Sequence, residues 1–382
     1  MDERIQKLQQ KAFIIGIGAL VLSAILAFFN ITQFFHSYLL AFSFWIGIAL
    51  GSLAILLLHQ LTGGMWGAVI RRLLEAATRT MPLLAALFIP ILIGIHKIYI
   101  WSDPAVVQHD EILRHKELYL NIPFFSLRAV LYFAIWIGLT FAFARLSRKQ
   151  EEGADSSLVA KFQALGGIGL LLYGLTATFA SVDWFMSLEP HWFSTIYGLI
   201  IITGQVLNAF AFVIVVATVL SQYPPLSDFI GRDQFKDLGN LTLTFVMLWA
   251  YMSFSQLLII WSGNLPEEIP WYVHRFHAGW QWLGGVLIVF HFAVPFLVLL
   301  SRTAKKNSKI LVFVALGLMV MRLADLFWLI APEFHEKGFF LHPLDMLLPV
   351  GMGGVWIAYY LRQLKTMPVV AMKDPNFSGA EI

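Results

Sequence analysis

Ten apolar stretches run through the chain, at 11–30, 37–59, 78–100, 124–145, 163–186, 194–221, 239–262, 276–301, 309–331 and 343–364. At about 20 residues each, they are long enough to cross the hydrocarbon core of a bilayer as helices. No water-soluble core accommodates ten such segments in one short chain. Composition agrees: of 382 residues 59% are hydrophobic and 13% charged, where soluble proteins carry about 25% charged residues. The sequence therefore predicts an all-α polytopic membrane protein of about ten transmembrane helices. It reads as a single membrane domain over 1–382, with 1–10 and 366–382 as cytoplasmic tails. Spans 2–5 and 6–9 start from the same side, which predicts two four-helix bundles plus two flanking helices, although no sequence repeat links the halves. Span 1 follows a basic leader (Arg4, Lys7, Lys11) and has no small-x-small cleavage pattern, so it reads as a retained helix.

Charge orients the spans. Of 26 basic residues, 19 fall on the side that holds the termini, among them Arg71, Arg72, Arg79, Arg145, Arg148, Lys149, Lys305, Lys306 and Lys373. Six fall opposite (Lys97, Arg114, Lys116, Arg128, Arg275, Lys337), and Arg322 lies inside a span. Because short cytoplasmic loops retain Lys and Arg, both termini are expected in the cytoplasm. The net charge of +3 is a topological bias and not a nucleic-acid footprint.

The chain contains no cysteine. That removes disulfides, thiolate-held iron–sulfur clusters, Cys-x-x-Cys-His haem attachment and catalytic thiols. Nor does the sequence contain a His-Glu-x-x-His, a nucleophile elbow, a P-loop or a Gly-x-Gly-x-x-Gly, so hydrolysis and nucleotide chemistry by this chain alone have no support.

What remains is a set of ionisable residues at membrane depth, where each costs several kcal/mol unless paired or hydrated. Arg322 and Asp325 lie at i,i+3 on span 9, placed to neutralise each other. His342 and Asp345 repeat that spacing at the start of span 10, Asp183 ends span 5, and His277 and His291 bracket the first half of span 8. On the terminal side stand His59, Glu75 and Arg79. One reading joins these ten residues as two polar half-paths for protons, with His291 and Arg322–Asp325 nearest the middle. The other makes them structural ion pairs and interfacial groups that snorkel to water. A b-type haem reading draws on His277 and His291, 14 residues and about 21 Å apart on one helix, but His59 and His96 offer no matching pair on a second helix. His109, Asp110 and His115 have no tight metal-site spacing and read as solvated loop residues.

Four stretches carry a resemblance: His59 to Trp66 (His-Gln-Leu-Thr-Gly-Gly-Met-Trp), Tyr119 to Arg128 with Tyr132 and Phe133, Asp183 to Trp192 (Asp-Trp-Phe-Met-Ser-Leu-Glu-Pro-His-Trp) with Ser194 and Thr195, and Trp261 to Tyr272 (Trp-Ser-Gly-Asn-Leu-Pro-Glu-Glu-Ile-Pro-Trp-Tyr). The chain resembles the ActF-type membrane subunits of alternative complex III, within the NrfD/PsrC-like family. The resemblance implies a subunit of a bacterial inner-membrane quinol:cytochrome c (or other periplasmic acceptor) oxidoreductase. In that complex quinol or menaquinol electrons pass to an iron–sulfur subunit, ActB, and on to a multihaem cytochrome c subunit, ActA, beside a paralogous NrfD-like subunit, ActC. Haem c and iron–sulfur clusters then belong to partner subunits, and this chain binds no cofactor alone. Its contribution is proton conduction or a quinone pocket, for which Arg128 and Asp183 inherit weight because they lie in matched stretches. A secondary transporter and a purely structural anchor are the competing classes.

Overall fold

A computed structural model describes residues 2–153, 157–335, 337–374 and 377. Among the described residues the regular structure is helical, and ten helices are long and apolar enough to cross a membrane: span 1 Glu3–Ala27, span 2 Ile31–Thr62, span 3 Arg71–Ile93, span 4 Ile122–Glu152, span 5 Ser157–Leu188, span 6 Tyr197–Leu220, span 7 Arg232–Gly263, span 8 Trp280–Leu300, span 9 Ser308–Glu333 and span 10 Leu344–Lys365. This is an all-α, multi-pass membrane protein. An even number of spans puts both termini on one face, called the terminal face below; the opposite one is the far face.

Spans 2, 3, 4 and 5 close on themselves, each packed on the next and span 5 back on span 2; spans 6, 7, 8 and 9 do the same. These are the two four-helix bundles that the direction of the spans predicts. Span 6 lies against span 2 and span 5, which joins the bundles, while span 10 packs on span 2 and span 1 on span 10. Span 2 is apolar all round and accordingly is the one span buried along its whole apolar length. At its crossing with span 6, Gly51 lets the backbones touch: a Cβ there would lie 2.1 Å from the Gln205 carbonyl oxygen. Outward faces remain apolar, with Leu127, Val130, Leu131 and Phe141 on span 4 and Ile288, Phe290 and Leu297 on span 8 exposed. Such a girdle suits hydrocarbon and not water.

Helix ends follow local chemistry. Asn30, Asn121 and Asn307 cap spans 2, 4 and 9 by accepting from the backbone N–H groups of Gln33, Phe124 and Lys309. Span 3 starts at Arg71, seven residues before the expected 78, because Arg71, Arg72 and Glu75 are buried together and so extend the helix where isolated charges would have ended it. It breaks at Gly94, and the far-face segment to 121 folds into short helices, including Pro104–His109 and Glu111–Lys116. Residues 3–10, expected as a tail, continue span 1 as helix. After span 10, Val369, Val370 and Ala371 tuck back against the bundle.

Candidate functional site

Polar groups gather at four places. The first lies at mid-depth in the second bundle. Arg322 pairs with Asp325 one turn away on span 9, and the Trp249 indole of span 7 donates to Asp325 Oδ2 at 3.3 Å. Span 6 makes room for the guanidinium by carrying Gly204, where a Cβ would lie 2.2 Å from Arg322 Cζ. His291 completes the group. Its ring meets the Trp249 ring edge-on, centroids 4.4 Å apart. The residue is fully buried, and neither ring nitrogen has a hydrogen-bond partner. It sits in a π-helical turn, Leu287–Ala293, which interrupts span 8. Such turns insert one extra residue into a helix and occur often at functional sites.

The second place is the terminal end of the first bundle. Glu75 accepts from Arg71 Nε (3.0 Å), Arg72 Nη1 (3.0 Å) and the Ser147 hydroxyl (2.9 Å). Arg72 also reaches Ser147 Oγ (2.6 Å) and pairs with Glu151. Arg71 Nη1 donates to Asp374 Oδ2 of the returning C-terminal segment at 2.6 Å. Arg79 stands at the edge, 3.9 Å from Glu75. His59 is outside this network; its Nε2 lies 2.9 Å from the Gly64 carbonyl and its ring packs edge-on against Trp66.

At the far end of the first bundle, Arg128 of span 4 meets Asp183 of span 5 in a two-pronged pair, Nε to Oδ2 at 2.8 Å and Nη2 to Oδ1 at 2.9 Å. The Tyr132 hydroxyl donates to Oδ2 at 2.7 Å. Arg128 Nη1 donates to the Tyr119 carbonyl, and its guanidinium lies 3.8 Å from the Tyr119 ring centroid and 4.4 Å from that of Phe124. The two residues nominated as quinone ligands therefore spend their polar atoms mainly on each other. Nearby on the far side, Asp345 accepts from the Ser37 hydroxyl (2.5 Å) and from the His342 backbone N–H (2.8 Å), so His342 reaches it through its main chain and not its ring.

The fourth place unites residues that the sequence leaves far apart. Glu189 follows span 5, His274 and Arg275 lie on the short helix Pro270–Phe276, and Glu333 ends span 9. Arg275, fully buried, bonds Glu333 Oε1 at 3.1 Å and lies 3.9 Å from Glu189 Oε2. Burial and the Glu333 charge push the Glu189 carboxyl up to about 8 against the opposing pull of Arg275. Sequence reasoning placed Glu189 inside a resembling stretch and Arg275 among the basic residues opposite the termini, but passed over Glu333, which ends span 9 in a plain Ala-Pro-Glu turn.

Other nominated residues stay apart. His277 is exposed and bonds the Val273 carbonyl through Nδ1, 14 positions from the buried His291. Asp110 pairs with His191 at 2.6 Å, and His109 bonds the Ala105 carbonyl. Neither a model of any known protein family nor any curated protein matches the chain.

Proposed function

We propose that this chain is an integral membrane subunit of an alternative-complex-III-type quinol:electron-acceptor oxidoreductase in a bacterial cytoplasmic membrane, its terminal face in the cytoplasm. It supports quinol oxidation by partner subunits and conducts protons through its second bundle. The observation that carries the conduction reading is His291. A fully buried imidazole with two unbonded nitrogens costs on the order of 1–3 kcal/mol per unsatisfied group. That cost is hard to explain in a merely structural helix, where phenylalanine would pack as well. Beside it stands an ion pair at the depth where charge is most expensive, in reach of the same indole. An imidazole and a carboxylate with neighbouring positions are the parts a proton relay requires.

The redox half of the reading rests on the resembling stretches and on chemistry. With no thiolate available, electrons belong to an iron–sulfur subunit (ActB) and a multihaem cytochrome c subunit (ActA), with a second NrfD-like chain (ActC) alongside. Mild-detergent purification tests this: a multihaem c-type spectrum and a large iron–sulfur protein must travel with the chain. A colourless chain that purifies alone refutes the complex and favours a secondary transporter built on the two bundles. For conduction, Asp325→Asn and His291→Phe are each expected to abolish proton uptake by proteoliposomes, and unchanged uptake would refute it.

A further inference from the structure

Three far-face segments converge on Arg275. Its guanidinium lies 3.7 Å from the Trp271 ring centroid and donates to the carbonyls of Trp271 (2.9 Å), Trp328 (3.2 Å) and Leu329 (2.9 Å). Of its five N–H groups these leave two: Glu333 Oε1 takes one, on Nη2, at 3.1 Å, and the other, on Nη1, is not within bonding distance of Glu189. Glu189 Oε2 is shut off from solvent with no hydrogen-bond partner, 3.9 Å from Arg275 Nη1. An oxygen of Glu189, an oxygen of Glu333 and a ring nitrogen of His274 all lie within 4.8 Å of one another. Two carboxyls thus share one cation, which hydrogen-bonds only one of them.

We propose that Glu189 and Glu333 hold a single proton between them and form the group through which protons pass between the second bundle and the far-face solvent. Two carboxylates this close, largely withdrawn from water, cannot both remain ionised beside one guanidinium. Protonating Glu189 gives its buried oxygen a bond to make, donated to the Glu333 carboxylate, and leaves Arg275 and Glu333 as a neutral pair. When the proton departs, the Glu189 O–H bond breaks and the imidazole of His274 accepts it; Nδ1 of His274 is 3.7 Å from Glu189 Oε1 and its side chain is 56% exposed. From the imidazole the proton passes to bulk water, and no electron moves. The raised affinity of Glu189, about 8, agrees with this arrangement.

Neighbouring charges are accounted for. Arg275 and His274 face the pair from the 270–276 helix. Next to Glu189 in sequence, His191 is engaged by Asp110 and the Pro190 carbonyl by Lys116. Tyr197 of span 6 and Arg322–Asp325 of span 9 lie deeper. Asp325 precedes Glu333 by eight residues on the same segment, about 12 Å along a helix. One span therefore carries the mid-depth pair and ends in the far-face pair.

The conducting role rests on the proposed function above; the shared proton does not, and the two are measured separately. Infrared titration of the purified full chain, following protonated-carboxyl bands, is expected to show one carboxyl with a midpoint near pH 8. Glu189→Gln and Glu333→Gln should each remove it, whereas His191→Gln should keep it. A wild type without this titration, or a band that survives Glu189→Gln, overturns the shared proton. Glu189→Asp, which keeps the carboxyl, should retain the band and guards against loss by misfolding. In proteoliposomes Glu189→Gln should slow proton flux by about tenfold or more. If Asp325→Asn stops the flux and Glu189→Gln does not, the conducting reading stands and this far-face route is overturned. If neither changes it, conduction itself fails, and the infrared result alone decides the pair.

Discussion

A double-mutant cycle on Arg128 and Asp183 separates a structural tie from a ligand site. Both residues are buried, Arg128 at 7% exposure and Asp183 at 0%. The aspartate accepts three bonds, two from the guanidinium and one from Tyr132. Removing one member strands the other charge in a low-dielectric interior, which costs about 3–5 kcal/mol. Arg128→Met and Asp183→Val should each lose about that much. Removing both leaves no stranded charge. What is then lost is the stacking on Tyr119 and Phe124, worth on the order of 1 kcal/mol per ring, and the Tyr132 bond, about 1 kcal/mol. The double variant should therefore regain at least about 3 kcal/mol of the combined single losses. Unfolding in mixed detergent micelles with rising dodecyl sulfate, followed by tryptophan fluorescence, reads this directly, since Trp184 adjoins the pair. The reasoning is refuted if each single variant stays within about 1 kcal/mol of wild type, or if the two losses simply add. A residue kept to hold a ligand would behave in that second way for stability while losing turnover.

Three further outcomes follow from the packing and the charges. Gly51→Leu places a side chain 2.1 Å from the Gln205 carbonyl oxygen and should prevent the bundles from docking, seen as loss of a monodisperse peak on size exclusion. Gly138→Leu, with nothing within 4 Å, should leave the peak intact. Asp374→Ala deprives Arg71 of one charged bond and should cost about 1.5–3 kcal/mol, whereas the exposed Lys373→Ala should stay within about 0.5 kcal/mol. Burial and the Glu333 charge push the Glu189 carboxyl up to about 8 in the fold, against about 4.5 when it is free in water, so the folded chain holds more protons between these limits. Stability from this group is complete below the lower value and is lost as pH rises through the upper one, with a slope of at most about 1.4 kcal/mol per pH unit. Glu189→Gln should flatten that slope, and an unchanged slope would assign it elsewhere.

Local spacing made part of this arrangement legible in the sequence. Ten apolar stretches gave ten spans because burial in lipid leaves the chain few alternatives, and Arg322–Asp325 could be read from an i,i+3 spacing on one helix. Span ends were less legible. Sequence reading treats Arg71, Arg72 and Glu75 as the limit of a hydrophobic segment, but they satisfy one another and Ser147, 72 positions away, and so lie inside the protein. Arg128 and Asp183 were both nominated, yet their pairing needed spans 4 and 5 side by side and antiparallel. Asp374 and Arg71 are 303 positions apart, with no periodicity to join them. Glu333 was invisible for the same reason: a carboxylate at a helix end looks like a solvated cap until two other loops close over it.

The two bundles share a topology but differ in how their polar groups are used. In the first, Glu75 receives two arginines and a serine, and Asp183 receives Arg128 and Tyr132, so its buried carboxylates are bonded to saturation. Those groups fix helices relative to one another. In the second, His291 has no partner and Asp325 leans on one arginine and an indole at 3.3 Å, while in the far-face segment after span 5 Glu189 Oε2 is unbonded. Saturated networks hold still, while under-bonded groups keep the capacity to take up and release a proton. Unbonded buried polar atoms occur in both halves, among them Arg71 Nη2, Thr140 Oγ1 and Trp184 Nε1 in the first bundle. What sets the second bundle apart is a fully buried imidazole, His291, with neither nitrogen bonded, beside an ion pair at mid-depth. Exchanging His291 for phenylalanine should therefore cost little stability and much proton flux, the reverse of the outcome expected for Arg128→Met.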